Sequence, residues 1–226
     1  MPLRPRVVED VTRADPTVAK RLGELGVATV HEAAGRTGLM HGIGAVTPGL
    51  AMGGTAVTCL NYAGDNLMVH AALALCEPGD VLVVGVLSPS SHGMFGELLA
   101  TSARARGVRG VVLDAGVRDV AALRAMGFPA WAKTIGAAGT EKALPGWVNV
   151  PVSCGGTVVF PGDVVVGDDD GVVVVGREDA AEVLERAEAR VAREEGTRAR
   201  LQAGELGLDI YGLRERLPQG NVGGVG

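Results

Sequence analysis

The chain has 226 residues, 47% of them hydrophobic and 21% charged, which excludes a disordered chain and allows a core burying about 70% of the unfolded surface. Aromatics are 3%, and the net charge is −5 with 3 lysines among 21 basic residues, so stacking platforms and basic faces for nucleic acid are excluded. No apolar run of about 18 residues occurs, and the opening MPLRPRVVEDVTRADP has acids and no apolar stretch, so no membrane span or secretory signal is expected and the cytoplasm is the expected compartment.

The 35 glycines are scattered without a collagen period, as expected for many tight turns and close backbone approaches. Residues 15–35 predict a helix in two pieces, with Pro16 in the first turn after Asp15, Val18, Leu22 and Leu25 at helical spacing, and Gly26 as the break. Residues 50–61, LAMGGTAVTCLN, predict a strand broken by its glycine pair. After Gly64-Asp65-Asn66, the run LMVHAALALC predicts a buried helix ending near Cys76. Pro78-Gly79-Asp80 reads as a turn, and Val81–Val86 as a strand buried on both faces. A loop over Ser88–Gly93 precedes a helix over 96–106 that stops before Gly107. Val111–Leu113 reads as a strand, Ala115-Gly116 as a turn, 118–126 as a helix closed by Gly127, and Phe128–Lys133 as a third strand. This alternation implies parallel pairing with right-handed crossovers, the α/β class.

From residue 146 the apolar period falls to two. Gly155–Phe160, Asp163–Val166 and Gly171–Val175 predict short strands, with hairpin signals at Pro161-Gly162 and Asp168–Gly171. Residues 178–203 predict an amphipathic helix, interrupted at Gly196, with Ala181, Val183, Leu184, Ala187 and Val191 on one side. Glu182 and Arg186 lie at supportive spacing on its other side. The closing NVGGVG is expected to fray. With no repeat and no long linker, residues 1–226 are expected to form one α/β domain with a C-terminal helical arm.

Ligands of parallel sheets bind beyond the carboxyl ends of the strands. Two such ends lead into Gly96-Glu97-Leu98-Leu99 and into Arg118-Asp119, and they face one side if their strands are parallel neighbours. Free N–H groups at a helix start near Gly96 suit a carboxylate, and Arg118 suits the same group bidentately. Asp119 and Glu97 are hard oxygen donors for Mg²⁺ or Mn²⁺. Plainer roles stand beside these: Glu97 as a helix-dipole partner, and Arg118-Asp119 as a cap with a solvated charge. His31, His70 and His92 read as structural, and Asp168–Asp170 as a solvated turn lacking the ligand pattern of a calcium loop. Cys59, Cys76 and Cys154 form no CxxC and read as buried reduced thiols, and no zinc spacing is present. Gly136–Thr140 lacks the Lys-Ser/Thr of a phosphate loop, and residues 42–49 contain no GxGxxG.

These residues resemble the class II pyruvate aldolases of the 4-hydroxy-4-methyl-2-oxoglutarate / 4-carboxy-4-hydroxy-2-oxoadipate type, which share a superfamily with the regulators of ribonuclease activity. The resemblance runs through ATVHEAAGRTGL at 28–39, GDN at 64–66, SPSSHGMFGELLATSARARGVRGVVLDAGVRDV at 88–120, VNVPV at 148–152, PGDVVVGDDDGVVVV at 161–175 and GELGLDIYGLRERL at 204–217. Its most specific part is an acid, Glu97, followed after twenty residues by Arg118-Asp119. The resemblance implies that backbone N–H groups of Gly96, Glu97, Leu98 and Leu99, together with Arg118, bind the pyruvyl part of the substrate. It implies Asp119 as the direct ligand of Mg²⁺ or Mn²⁺, Glu97 as the holder of water on that ion, and Lys142 as the partner of the distal carboxylate. Relatives carry Asp where this chain has Glu97, which is one methylene longer. A glutamate from a neighbouring subunit's C-terminal helix is also implied near the ion; Glu194 is the best match and Glu195 the next. The implied fold is a swivelling-type α/β/β domain assembled as trimers or hexamers. The implied reaction is retro-aldol cleavage, with oxaloacetate decarboxylation as the first alternative. A non-enzymatic ribonuclease regulator is the second, and the intact Arg118-Asp119 pair weighs against it.

Overall fold

The structure, a computed structural model, describes residues 4–218, so the closing NVGGVG lies outside the described residues. The chain divides into two compact units, one ending at Ala187 and the other starting at Glu188.

In the first unit, β1 (Arg6–Val7) precedes α1 (Pro16–Leu25). The Asp15 carboxylate accepts the Thr17 N–H at 2.7 Å and Pro16 fills the first helical position, two signals that start α1 where the sequence places it. Gly26, at φ 83°, separates α1 from α2 (Val27–Ala33). After β2 (Gly44–Ala45), β3 (Met52–Asn61) runs unbroken through its glycine pair, which corrects the expected break. The glycines serve close packing instead. A Cβ on Gly53 would stand 2.4 Å from Ala19 O and 2.6 Å from Gly23 Cα, so α1 lies directly on the strand backbone. Next come α3 (Leu67–Leu75), β4 (Asp80–Val86), β5 (Gly93–Phe95) and α4 (Glu97–Ala105). The expected loop ends early because Gly93 and Phe95 pair with the next strand, β6 (Gly110–Val117). That pairing also carries β6 through Ala115-Gly116, where a turn was expected. Then α5 (Val120–Ala125) begins after Arg118-Asp119, and β7 (Ala130–Ile135) follows. The expectation of a helix from residue 118 is therefore corrected, because Asp119 adopts left-handed backbone.

The remaining strands are β8 (Trp147–Val148), β9 (Val152–Cys154), β10 (Thr157–Val159), β11 (Val164–Asp168) and β12 (Gly171–Val175). The Asp168–Gly171 hairpin signal holds, joining β11 to β12. The one at Pro161-Gly162 does not: β10 pairs back with β9 across Gly155-Gly156, and β11 pairs with β3. α6 (Ala180–Gln202) gives its first two turns to this unit, burying Ala180, Val183 and Ala187. Ala181 is exposed, in place of the expected inward position, and the helix continues through Gly196 without interruption.

The main sheet runs β1-β8-β3-β4-β6-β7-β2, with β3, β4, β6 and β7 parallel. Alternation along β4 divides the core: Leu82 and Val84 face α3, α4 and α5, whereas Val81 and Val83 face the layer of β9–β12. Val165 of β11 and Val172 and Val174 of β12 join this second cluster, while their neighbours Val164, Val166, Val173 and Val175 pack on α1, α2 and the start of α6. The result is the α/β/β layering that the resemblance implies, with α1, α2 and the start of α6 covering the outer face of the second β layer. In the second unit, the rest of α6 is followed by α7 (Gly207–Ile210) and a 3-10 turn at Arg214–Arg216. No described residue from Glu188 onward is buried.

Candidate active site

The parallel pairing of β4 and β6 brings their carboxyl ends to one side, and the chain crosses that edge twice. At the end of β6 the Arg118 N–H donates to Phe95 O at 2.9 Å, tying the two crossings together. Asp119 follows with φ 56° and ψ 36°, a left-handed conformation uncommon outside glycine and most tolerated by Asp and Asn. Its side chain does not cap α5. It turns to the other crossing, where Oδ2 accepts the Glu97 N–H at 3.1 Å and lies 3.6 Å from Arg118 Nε.

Gly96 stands before α4 in extended backbone that any residue adopts. Space is what requires glycine here. A Cβ would meet Asp119 Oδ2 at 2.4 Å and Arg118 Cγ at 2.9 Å. The first intrahelical bond is made by the Ala100 N–H to Gly96 O at 3.0 Å, so the Leu98 and Leu99 N–H groups have no partner within the helix. Glu97 differs from them, since its N–H is committed to Asp119. The helix end thus offers two N–H groups and its positive dipole end beside a guanidinium and a carboxylate.

Asn66, His70, Gly93, Met94, Gly96, Leu98, Leu99, Arg118, Asp119, Thr140 and Lys142 line a cavity of about 90 Å³ here. The expected residues Gly96, Leu98, Leu99, Arg118, Asp119 and Lys142 are therefore brought together. The Glu97 side chain is exposed and is not part of the lining, though both its neighbours in the chain are. Glu194 and Glu195 belong to the second unit, where Glu194 pairs with Arg190 at 2.7 Å and Glu195 with Arg198 at 4.0 Å.

Five lining residues carry no site role in the sequence analysis: Asn66, Gly93, Met94 and Thr140 are given none, and His70 reads there as structural. Asn66 lies in the Gly64-Asp65-Asn66 run, the one available signal for this wall. Asp65 builds the wall. Its Oδ1 accepts the Leu67 N–H at 2.9 Å at the start of α3, and its Oδ2 accepts the Ala143 and Leu144 N–H groups at 2.7 and 3.0 Å. One buried carboxylate thus fixes both the helix start that carries Asn66 and His70 and the segment that carries Lys142. Burial pushes the Asp65 carboxyl up, but the N–H groups of Ala143, Leu67 and Leu144 and the charge of Lys142 outweigh it and hold the group below its ordinary range. Desolvation, and then Lys142, lower the His70 imidazole. Lys142 itself makes no hydrogen bond or ion pair among the described residues. The three cysteines are free and buried, and burial pushes the Cys59 and Cys76 thiols up to about 12, which leaves them unreactive.

No helix among the described residues is long and apolar enough to cross a membrane. The sequence profile of the RraA-like family, described as Aldolase/RraA, matches residues 27–174. A protein of Halalkalibacterium halodurans with the provisional name 4-hydroxy-4-methyl-2-oxoglutarate aldolase is 32% identical over 158 residues, 70% of this chain and 75% of its own. Among solved structures, an uncharacterized protein from Pseudomonas syringae pv. tomato superposes with a TM-score of 0.74 at 25% identity, covering 87% of this chain and 97% of that one. RraAS2 of Streptomyces coelicolor, described as an unusual member of the RNase ES inhibitor RraA protein family, superposes with a TM-score of 0.73 at 30% identity over 83% of this chain and 100% of that one. The chain belongs to the RraA-like, Aldolase/RraA family.

Proposed function

We propose that the protein is a divalent-metal-dependent pyruvate aldolase of aromatic-acid catabolism. It cleaves 4-carboxy-4-hydroxy-2-oxoadipate to pyruvate and oxaloacetate, and 4-hydroxy-4-methyl-2-oxoglutarate to two pyruvates. The observation that carries this reading is the convergence, in one cavity, of the α4 N-terminus, Arg118, Asp119 and Lys142, which makes no ion pair among the described residues. Two cations and two free N–H groups around about 90 Å³ suit a small polycarboxylate better than the surface of a ribonuclease.

Asp119 fits a resident Mg²⁺ or Mn²⁺: its Oδ2 is braced by the Glu97 N–H, and its Oδ1 has no partner among the described residues. A single hard carboxylate suits an ion that keeps several waters, and no group of three or more His, Cys, Asp or Glu among the described residues forms a tighter cage. When bound, the ion supplies Lewis-acid stabilisation of negative charge on the C2 oxygen.

The chain's own groups do the rest. Arg118 and the Leu98 and Leu99 N–H groups hold the pyruvyl carboxylate and fix C2 beside Asp119. Lys142 meets the distal carboxylate. Glu97, in the first turn of α4 and without an ion pair among the described residues, receives the C4-hydroxyl proton through one water. The C3–C4 bond then breaks, its electron pair passes through C2 to the oxygen as an enolate, and C4 becomes the carbonyl of the departing product. Arg118 offers fixed positive charge where that oxyanion develops. A proton returns to C3 and pyruvate leaves. The same stabilisation admits loss of CO₂ from oxaloacetate as a side activity.

None of the described residues from Glu188 onward is buried, and Leu201, Leu206 and Tyr211 are exposed. This supports the assignment of that segment as an arm that packs on a neighbouring copy in a trimer or hexamer and carries Glu194 to that copy's cavity. The reading is tested by supplying each substrate and counting products. Equimolar pyruvate and oxaloacetate from the first, and two pyruvates from the second, are expected; no product from either refutes it.

A further inference from the structure

Asn66 lines the cavity and is only 5% exposed. Its Nδ2 donates to Met94 O at 3.0 Å, which fixes the orientation of the amide. Its Oδ1 has no partner among the described residues. A buried acceptor left unpaired costs more than the hydrogen bond it lacks would contribute, so an orphan of this kind asks for an explanation. Capping is not the explanation, since α3 receives no side-chain cap bond from Asn66. Nor is the residue loosely held. Its N–H donates to Glu141 O at 3.0 Å, and Asp65 beside it anchors Leu67, Ala143 and Leu144.

An amide oxygen accepts and never donates, so it is satisfied by a hydrogen or by a cation, and the cation of this site is assigned to Asp119. On the aldolase reading, on which this inference rests, the substrate offers carboxylates and a ketone, all acceptors, and a single O–H at C4. We infer that Asn66 Oδ1 accepts the C4 hydroxyl of the bound substrate and holds that oxygen in place until the O–H turns to the water on Glu97 and loses its proton, and that Asn66 is the positioning residue separating aldol cleavage from decarboxylation. Oxaloacetate has no such hydroxyl and gains nothing from the acceptor. A site built to hydrogen-bond a hydroxyl discriminates against a ligand lacking it far more than an apolar pocket would.

The test compares kcat/KM for cleavage of 4-carboxy-4-hydroxy-2-oxoadipate with kcat/KM for oxaloacetate decarboxylation, in Mg²⁺-replete wild type and Asn66→Ala. The variant is expected to lose at least about 10-fold more in cleavage than in decarboxylation. Asn66→Asp keeps the acceptor on a side chain of the same shape and covers the case in which the alanine variant does not fold. Its added charge lowers both rates, but their ratio returns toward wild type. Equal losses in both reactions, as a purely structural role or a contact with Lys142 would give, overturn the inference. A wild type that turns over neither substrate overturns the aldolase reading instead, a result distinct from equal losses.

Discussion

Replacing Gly96 by alanine tests the site at its tightest point. The backbone there is extended, so alanine adds no conformational strain, and the whole effect comes from one methyl group. That methyl would sit 2.4 Å from Asp119 Oδ2 and 2.9 Å from Arg118 Cγ. Reaching even a crowded 3.0 Å asks the carboxylate to retreat by about 0.6 Å, and the guanidinium stem must give way with it. The Asp119–Glu97 N–H bond of 3.1 Å stretches as well, costing about 1 kcal/mol at this half-exposed position. The fold survives that loss, but the reacting geometry does not, since displacements approaching 1 Å cost on the order of 100-fold in rate. Pyruvate release, coupled to lactate dehydrogenase, is therefore expected to fall about 100-fold in Gly96→Ala, with a melting temperature within about 8 °C of wild type. Activity within threefold of wild type would show that Gly96, Arg118 and Asp119 do not form one constrained unit, and the reasoning would fail.

Arg118→Ala is expected to remove at least about 2 kcal/mol of transition-state stabilisation, roughly 30-fold in kcat/KM, and near-full activity would remove Arg118 from the site. In Asp65→Asn one carboxylate oxygen becomes an NH₂, so acceptance from either the Leu67 N–H or the Ala143 and Leu144 N–H groups is lost, and unfolding free energy at neutral pH is expected to fall by about 2–3 kcal/mol in urea melts. The folded pKa of Asp65 lies below its unfolded value of about 3.9, so its contribution is complete above that value and is lost as pH falls through the folded pKa. The stability gap between wild type and Asp65→Asn should therefore close below about pH 4, and a gap unchanged in acid would contradict the assignment. Gly196→Ala places a methyl in open space within a continuous helix and is expected to raise stability by up to about 1 kcal/mol; a lower melting temperature would count against helix at that position.

Buried parallel strands were the most legible part of the fold. Val81–Val86 is apolar throughout because both of its faces are covered, and that pattern needs no knowledge of its neighbours. β6 was legible only to Leu113, because Ala115-Gly116 has the local chemistry of a turn, and its continuation depends on the distant β5. Gly53 and Gly196 show the same limit in two directions. One glycine permits contact with a helix and the other meets nothing, and neither breaks its element. At the site, Gly96–Leu99 and Arg118-Asp119 were readable because each follows a strand end, where ligands gather. The left-handed turn at Asp119 has no sequence signature beyond tolerance for Asp. Asn66, His70 and Thr140 were not readable as a wall, because Asp65 assembles it by bonds to residues 143 and 144.

We assign to Asp119 and its neighbours a divalent ion held at the carbon skeleton being cleaved. The most direct measurement is pyruvate release from 4-carboxy-4-hydroxy-2-oxoadipate by wild type and Asp119→Asn, each stripped with EDTA and then titrated with Mg²⁺. The expected result is a wild type silent after EDTA and restored by Mg²⁺, beside a variant that Mg²⁺ does not restore. Turnover by the wild type that persists in EDTA, or a variant activated by Mg²⁺ as the wild type is, would contradict it.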